Sequence, residues 1–303
     1  MDTIKITIEA TIKAPVEKVW EMWTNPVHIL HWNNASDDWL TSYTESDLRV
    51  DGRFMSRMES RDGSSGFDFS GRYTAVMPYH RITYLMDDDR AVEITFSSQG
   101  DQTRVTETFD AEHENPYELQ KEGWQSILNN FKKYAETKRS GELLHFEKSI
   151  DADIDRVYHY MLDSAAYKEW TSIFNADSHF EGSWSKGSKI IFLGTDKDGN
   201  KGGMVGRIRE NIPGKFVGIE YTGIITNGEE KYTGPEVEQW AGGLENYSFS
   251  RNEEKTLVRV DVDVNHEFVQ YFEETWPGAL DRLKEICEKL TVYNKPEDHG
   301  LNS

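Results

Sequence analysis

The feature that most restricts what this chain can fold into is that it repeats itself. Residues Ile4 to Ile12 alternate apolar and polar without a break, the pattern of a strand with one buried face. Ala14-Pro15 opens a helix, since proline suits a first helical turn. Its apolar positions Val16, Val19, Trp20 and Trp23 follow i, i+3, i+4, i+7, and Asn25-Pro26 stops it. Shifted by 138 residues, Phe146 to Ile150 ends a second strand and Ala152-Asp153 opens a second helix. There Ile154, Val157, Tyr158 and Met161 keep the same intervals, and Trp32 falls on Trp170. At a shift of 135, Gly52 falls on Gly187, Gly71-Arg72 on Gly206-Arg207 and Pro78 on Pro213. One fold is written twice.

Each copy also ends alike. After Pro116, the positions Trp124, Leu128, Phe131, Tyr134 and Ala135 mark one face of a long amphipathic helix. Trp276, Leu280, Leu283, Ile286 and Cys287 repeat those intervals, and Leu290 continues the stripe. Between the helices of the first copy, Arg53 to Met58, Phe67 to Val76, Arg81 to Met86, Ala91 to Phe96 and Thr103 to Phe109 read as strands. Asp62-Gly63-Ser64-Ser65-Gly66 and Gln99-Gly100-Asp101 read as hairpin turns. An antiparallel sheet needs one face covered, and the long terminal helix is the element able to cover it. The expected class is therefore α+β: tandem helix-grip domains, each a curved antiparallel sheet wrapped around a long C-terminal helix.

The expected domains are 1–139 and 140–293, with a polar tail over 294–303. The boundary falls in Lys138-Arg139-Ser140-Gly141-Glu142. The second copy is longer by about 17 residues, within Gly223 to Gly243, where Asn227-Gly228 signals a hairpin. That insertion is either a lengthened hairpin beside a cavity mouth or a surface addition without a role.

Composition narrows the function. With 34 Lys+Arg against 54 Asp+Glu the net charge is −20, so nucleic acid and anionic membrane surfaces are poor partners. Nine Trp, 14 Tyr and 14 Phe are too many for a disordered acidic chain. The single cysteine, Cys287, permits no internal disulfide and lies on a buried stripe, where packing is its role. The start shows neither a basic leader nor an apolar core segment, and no apolar run reaches the roughly 18 residues of a membrane span. A cytoplasmic location is expected.

The run Ile8-Glu9-Ala10-Thr11-Ile12-Lys13-Ala14-Pro15-Val16-Glu17-Lys18-Val19-Trp20, with Trp32, the strand Val105 to Phe109 and the Gly123-Trp124 helix, resembles a known family. These are the bacterial proteins related to the activator of the heat-shock-90 chaperone ATPase, within the START-like (SRPBCC), polyketide-cyclase/Bet v superfamily. The resemblance covers nearly all of residues 3 to 137, and over 143 to 291 it rests on the framework positions above. It implies a helix-grip fold around a deep, mainly apolar cavity that takes lipids, aromatic polyketides or other hydrophobic molecules. It also raises a chaperone partner. The eukaryotic activator, however, joins such a domain to a different N-terminal one with an Asn/Trp motif, which Asn33-Asn34 does not reproduce.

Glu107 is the most informative polar residue. Strand parity puts it between Val105 and Phe109, on the face opposite Arg104, Thr106, Thr108 and Asp110. A cavity-facing carboxylate there is a ligand anchor or a general acid/base, or else a group satisfied by a Tyr, Arg or trapped water. Aligning Thr103 with Thr256 sets Val260 opposite Glu107, between Val258 and Val262, so a second cavity would lack that carboxylate. Expected lining residues in the first copy are Trp32, Trp39, Phe54, Phe67, Phe69, Tyr84, Phe96 and Trp124. Their counterparts are Trp170, Trp184, Ile219, Tyr221 and Trp276.

No metal site is expected. His28 and His31 stand three apart, followed by Asp37 and Asp38, without a third ligand of fixed geometry. Asp196-Lys197-Asp198-Gly199-Asn200 has its glycine in the fourth place, not the sixth of a calcium loop, and reads as a hairpin turn. No phosphate loop, nucleophile triad or dinucleotide fingerprint occurs, and no cofactor is implied. The reading is of a non-catalytic module binding a small hydrophobic or aromatic ligand. The alternatives are a cyclase- or hydrolase-like enzyme using Glu107 as acid/base, and a chaperone co-regulator.

Overall fold

The computed structural model describes residues 4–137, 141–195 and 199–289. The inter-copy boundary at 138–140, residues 196–198 of the calcium-like loop, Leu290 and the 294–303 tail lie outside the described residues. The chain divides into two compact units, 1–138 and 139–303.

The first unit runs β1 (Lys5–Ile12), α1 (Val16–Thr24), α2 (Pro26–Trp32), β2 (Trp39–Ser46), β3 (Arg53–Ser60), β4 (Gly66–Met77), β5 (Arg81–Met86), β6 (Ala91–Gln99), β7 (Gln102–Asp110) and α3 (Tyr117–Glu136). Its seven strands form one sheet in the order β1-β7-β6-β5-β4-β3-β2, with every neighbouring pair antiparallel. The second unit has β8 (Gly141–Ile150), α4 (Ile154–Leu162), α5 (Ser164–Trp170), β9 (His179–Gly182), β10 (Lys189–Thr195), β11 (Lys201–Ile212), β12 (Phe216–Thr226), β13 (Glu229–Lys231), α6 (Pro235–Glu238), β14 (Leu244–Asn252), β15 (Lys255–Asn265) and α7 (Val269–Lys289). Its order, β8-β15-β14-β12-β11-β10-β9 with β13 added beside β12, repeats the first. Two curled sheets, each with its long helix, make the α+β helix-grip class.

The terminal helix of each unit buries the stripe read from the sequence. Leu128, Phe131 and Ala135 of α3 are buried, as are Trp276, Leu280, Leu283 and Cys287 of α7. Burial pushes the Cys287 thiol up to about 12, which leaves it an inert packing residue. A polar clasp repeats as well. The Lys13 amide donates to Glu136 Oε1 at 2.8 Å, and the Asp151 amide donates to Glu288 Oε1 at 2.8 Å. Lys132 and Lys284 bridge those glutamates at 2.6 and 2.7 Å. Each lysine also donates to a first-strand carbonyl, Thr11 or Ser149. The clasp fixes where each helix ends over its sheet.

At Gly71 the inner face has no room for a side chain, and at Gly206 it has little. A Cβ on Gly71 would lie 2.4 Å from the Leu85 carbonyl and 2.9 Å from the Phe54 ring. On Gly206 it would lie 3.0 Å from Ile219. The insertion is a hairpin: Asn227 and Gly228, at φ 53° and 81°, turn β12 into β13, and the chain returns through α6.

In the first unit α2 and β2 escaped the sequence pattern. Asn25-Pro26 ends α1 but also starts α2, where the Asn25 side chain accepts from the Val27 amide and Pro26 takes the first turn. β2 carries Thr41, Ser42 and Thr44, all buried, so apolar alternation does not reveal it. Because α3 covers the sheet, Leu128→Ala should cost roughly 2–5 kcal/mol in a urea titration. A loss below about 1 kcal/mol would mean that α3 is not packed there.

Candidate functional site

Parity and register place Glu107. On β7 the residues Val105, Glu107 and Phe109 face inward at 0, 6 and 0 % exposure. Thr103, on the same face, donates to the Ala14 carbonyl at 2.9 Å and pins the strand end. Glu107 pairs with Ile8 on one side and Ile94 on the other, both buried. Its carboxyl therefore emerges among hydrocarbon neighbours.

It opens into a cavity of about 450 Å³ between the sheet and α3. Trp23, Trp32, Phe54, Phe69, Tyr84 and Trp124 supply the aromatic wall. The Trp124 ring stacks on Phe109 at 4.0 Å, and Phe69 meets Trp124 edge-on at 5.9 Å. Phe54 meets Tyr84 edge-on at 4.8 Å, so the rings brace one another instead of filling the centre. Ile29, Ser56 and Ile94 line the space with smaller side chains. Gly123 of α3 also lines it, and a Cβ there would meet nothing within 4 Å.

The mouth has an apolar and a polar side. Phe67 and Leu119 line it while 50 and 55 % exposed. Arg90, Glu112, Asn115 and Gln120 contribute polar groups to the lining. Gln120 ties that rim together: its Oε1 accepts from the Glu112 amide at 2.9 Å, and its Nε2 donates to the Asn115 carbonyl at 2.8 Å.

Among the described residues, none makes a hydrogen bond to the Glu107 side chain. Burial alone raises its pKa from 4.5 to about 8. The neighbouring Tyr84 hydroxyl is pushed well above 10 by burial and by the Glu107 charge. Glu107 is thus a neutral acid at pH 7, able to donate one hydrogen bond. Holding it there costs stability. Below about 4.5 folded and unfolded chains both keep the proton, and the pH-linked part of the penalty is absent. Between 4.5 and about 8 only the unfolded chain ionises, so stability falls steadily as pH rises through that window. Above that the loss is complete.

Of the residues expected to line the first cavity, Trp32, Phe54, Phe67, Phe69, Tyr84, Glu107 and Trp124 do so. Phe96 lies instead behind the wall, 3 % exposed and 5.2 Å from Trp20. Trp39 lies off the wall, against Phe67 at 5.9 Å. Gln120 was missed, although it continues the Trp124–Leu128 stripe by one turn. His28 is buried and its Nδ1 bonds the Tyr134 hydroxyl at 2.6 Å, while the His31 ring stacks on Tyr134.

The second unit gathers Trp170, Trp184, Ile219, Tyr221 and Trp276 into its core. Val260 stands where expected, fully buried, so Glu107 has no counterpart carboxyl there, but the second interior holds a different one that the strand alignment does not reveal. Glu245 on β14, 6 % exposed, turns inward one strand over, opposite Val262. Tyr221 and Tyr247 each donate their hydroxyl to one of its oxygens. Burial raises the Glu245 pKa despite both bonds.

Comparison with known proteins gives the family. Residues 13–136 match the model of "Activator of Hsp90 ATPase homolog 1-like protein". The AHSA1-like protein of Aeromonas hydrophila is 47 % identical over 44 % of this chain and 92 % of its own, with a TM-score of 0.43. Chr148 of Cytophaga hutchinsonii is 46 % identical over the same shares, at 0.40. The di-domain ARO/CYC StfQ of the steffimycin biosynthetic pathway shares 15 % identity, covers 95 % of this chain and 99 % of its own, and has a TM-score of 0.55. No curated protein matches the sequence. Among the described residues no helix is long and apolar enough to cross a membrane. By the near-complete match of its first unit to these relatives, the chain belongs to the Activator of Hsp90 ATPase homolog 1-like family.

Proposed function

We propose that the first unit binds one small, largely apolar aromatic molecule in its cavity, with Glu107 as the hydrogen-bonding anchor. One observation carries this reading: a buried carboxyl, with no hydrogen-bond partner among the described residues, facing a space of about 450 Å³ walled by aromatic rings. Native interiors satisfy their buried polar groups, so a group left without a partner points to one supplied from outside. A neutral acid favours an uncharged acceptor such as a carbonyl. The rings supply the contact area, and the Phe67–Leu119 side of the mouth supplies an apolar entrance.

Acid–base chemistry is a second reading, favoured by the same group: a pKa of about 8 suits proton transfer near neutral pH. It would bring the chain nearer the aromatase/cyclase activity named for StfQ, whose likeness here is one of fold. A cytoplasmic, non-membrane setting fits either reading.

The neutral naphthyl ketone prodan tests the anchor, since tryptophans line the cavity and transfer excitation to it. Its binding should weaken as pH rises through about 8. Glu107→Gln, whose amide still donates, should bind with no such dependence. Tightening with rising pH, or a pH dependence that survives in the variant, would refute the anchoring role. A Glu107→Gln protein that binds substrate unchanged but no longer turns it over would establish the catalytic reading.

Gly123 separates stability from function. A mid-helix glycine costs about 1 kcal/mol relative to alanine. Gly123→Ala should therefore raise the urea midpoint while weakening prodan binding, since the added methyl enters the cavity. Unchanged affinity would remove Gly123 from the binding surface.

A further inference from the structure

We infer that the second unit's counterpart of the cavity is filled by the chain's own side chains, so that the protein carries one ligand site, in the first unit. This inference rests on the proposed binding reading and adds where in the chain the ligand goes. The sheet registers make the comparison residue by residue. Phe54 faces Gly71 and Ile190 faces Gly206, so two residues further along Ser56 corresponds to Phe192. Thr103 and Thr256 donate to the equivalent carbonyls of Ala14 and Ala152. From that anchor Glu107 corresponds to Val260, and their cross-strand partners Ile94 and Tyr247 correspond. The short helices ending in Trp32 and Trp170 set Ile29 against Tyr167.

Three positions that line the first cavity, Ile29, Ser56 and Ile94, thus become Tyr167, Phe192 and Tyr247. Each change adds an aromatic ring on the inner side. The rings meet: Tyr167 lies 6.1 Å from Phe192 and 6.0 Å from Trp184, and Trp184 lies 6.4 Å from Tyr247. Phe192 lies 6.4 Å from Tyr221. The buried carboxyl of the second unit is also met internally, although the Trp184 and Trp276 indole nitrogens make no hydrogen bond among the described residues. Tyr221 and Tyr247 occupy both oxygens of Glu245, whereas Glu107 has no such partner among the described residues. The same registers set Ile190 and Met204 against Phe54 and Phe69, so rings are lost at the outer wall while Tyr167, Phe192 and Tyr247 bring them to positions that the first unit leaves small.

Prodan titration of the full chain, with each unit followed by amide NMR, tests this. One molecule per chain is expected, with shifts confined to first-unit amides such as Ser56 and Gly123. Ser56→Phe, which copies the second unit's residue, should weaken binding at least tenfold. Phe192→Ser combined with Tyr167→Ile should create a second site and raise the stoichiometry to two. Two molecules on the unaltered chain, or binding that survives Ser56→Phe, would overturn the inference. Dissolved xenon gives a readout that does not depend on the ligand reading. It should perturb first-unit amides in the unaltered chain and reach the second unit only in the opened variant. Prodan failing to bind while xenon enters the first unit alone would defeat the binding reading and leave this inference standing. Equal xenon uptake by both units would overturn it.

Discussion

The structure depends on the seating of one long helix over the inner face of each sheet. Leu128 and Phe131, or Leu280 and Leu283, remove that face from water. The lysine–glutamate clasp at Glu136 and Glu288 ties each helix end to the first strand and the turn after it. A helix fixed at one end can cover part of a sheet tightly and leave space beneath the remainder. What occupies that space is then decided by a few inward side chains, and the two copies have decided differently.

Buried carboxyls show the divergence most plainly. Glu245 is surrounded by phenols that donate to it, which is how an interior ordinarily accommodates such a group. Glu107 has hydrocarbon on both flanks and a cavity ahead. It lowers the stability of the unliganded fold above about pH 4.5, and no structural benefit among the described residues offsets that. Natural proteins keep such groups mostly at functional sites. Gly123 fits the same pattern, since an alanine would fit the backbone and favour the helix.

Much of this was legible in the sequence, for identifiable reasons. Period-2 alternation gave β5 its observed bounds at Arg81–Met86, and the i, i+4, i+7 stripe located α3 and α7. Glu107 could be turned inward because Val105 and Phe109 flank it on a strand whose other face is polar. Glu245 could not. Leu244, Glu245, Asn246 and Tyr247 are all buried, so parity within β14 gives no inner face. β2 stayed hidden because its buried residues are mostly hydroxylic. The resemblance implied a cavity, but the residue pattern could not outline it fully, because Ile29, Ser56 and Ile94 lie far apart in the chain and reach one wall only in the fold. For the same reason Phe96 and Trp39 could not be separated from the true wall.

The central claim is that Glu107 faces unfilled apolar space as a neutral acid. Titrating the ¹³C-labelled glutamate carboxyls of the unliganded protein by NMR, with Glu107→Gln to assign the resonance, tests it most directly. The account predicts a midpoint near 8 for Glu107. A midpoint in the ordinary range around 4.5 would show that water or a protein partner already satisfies the group, and would contradict it.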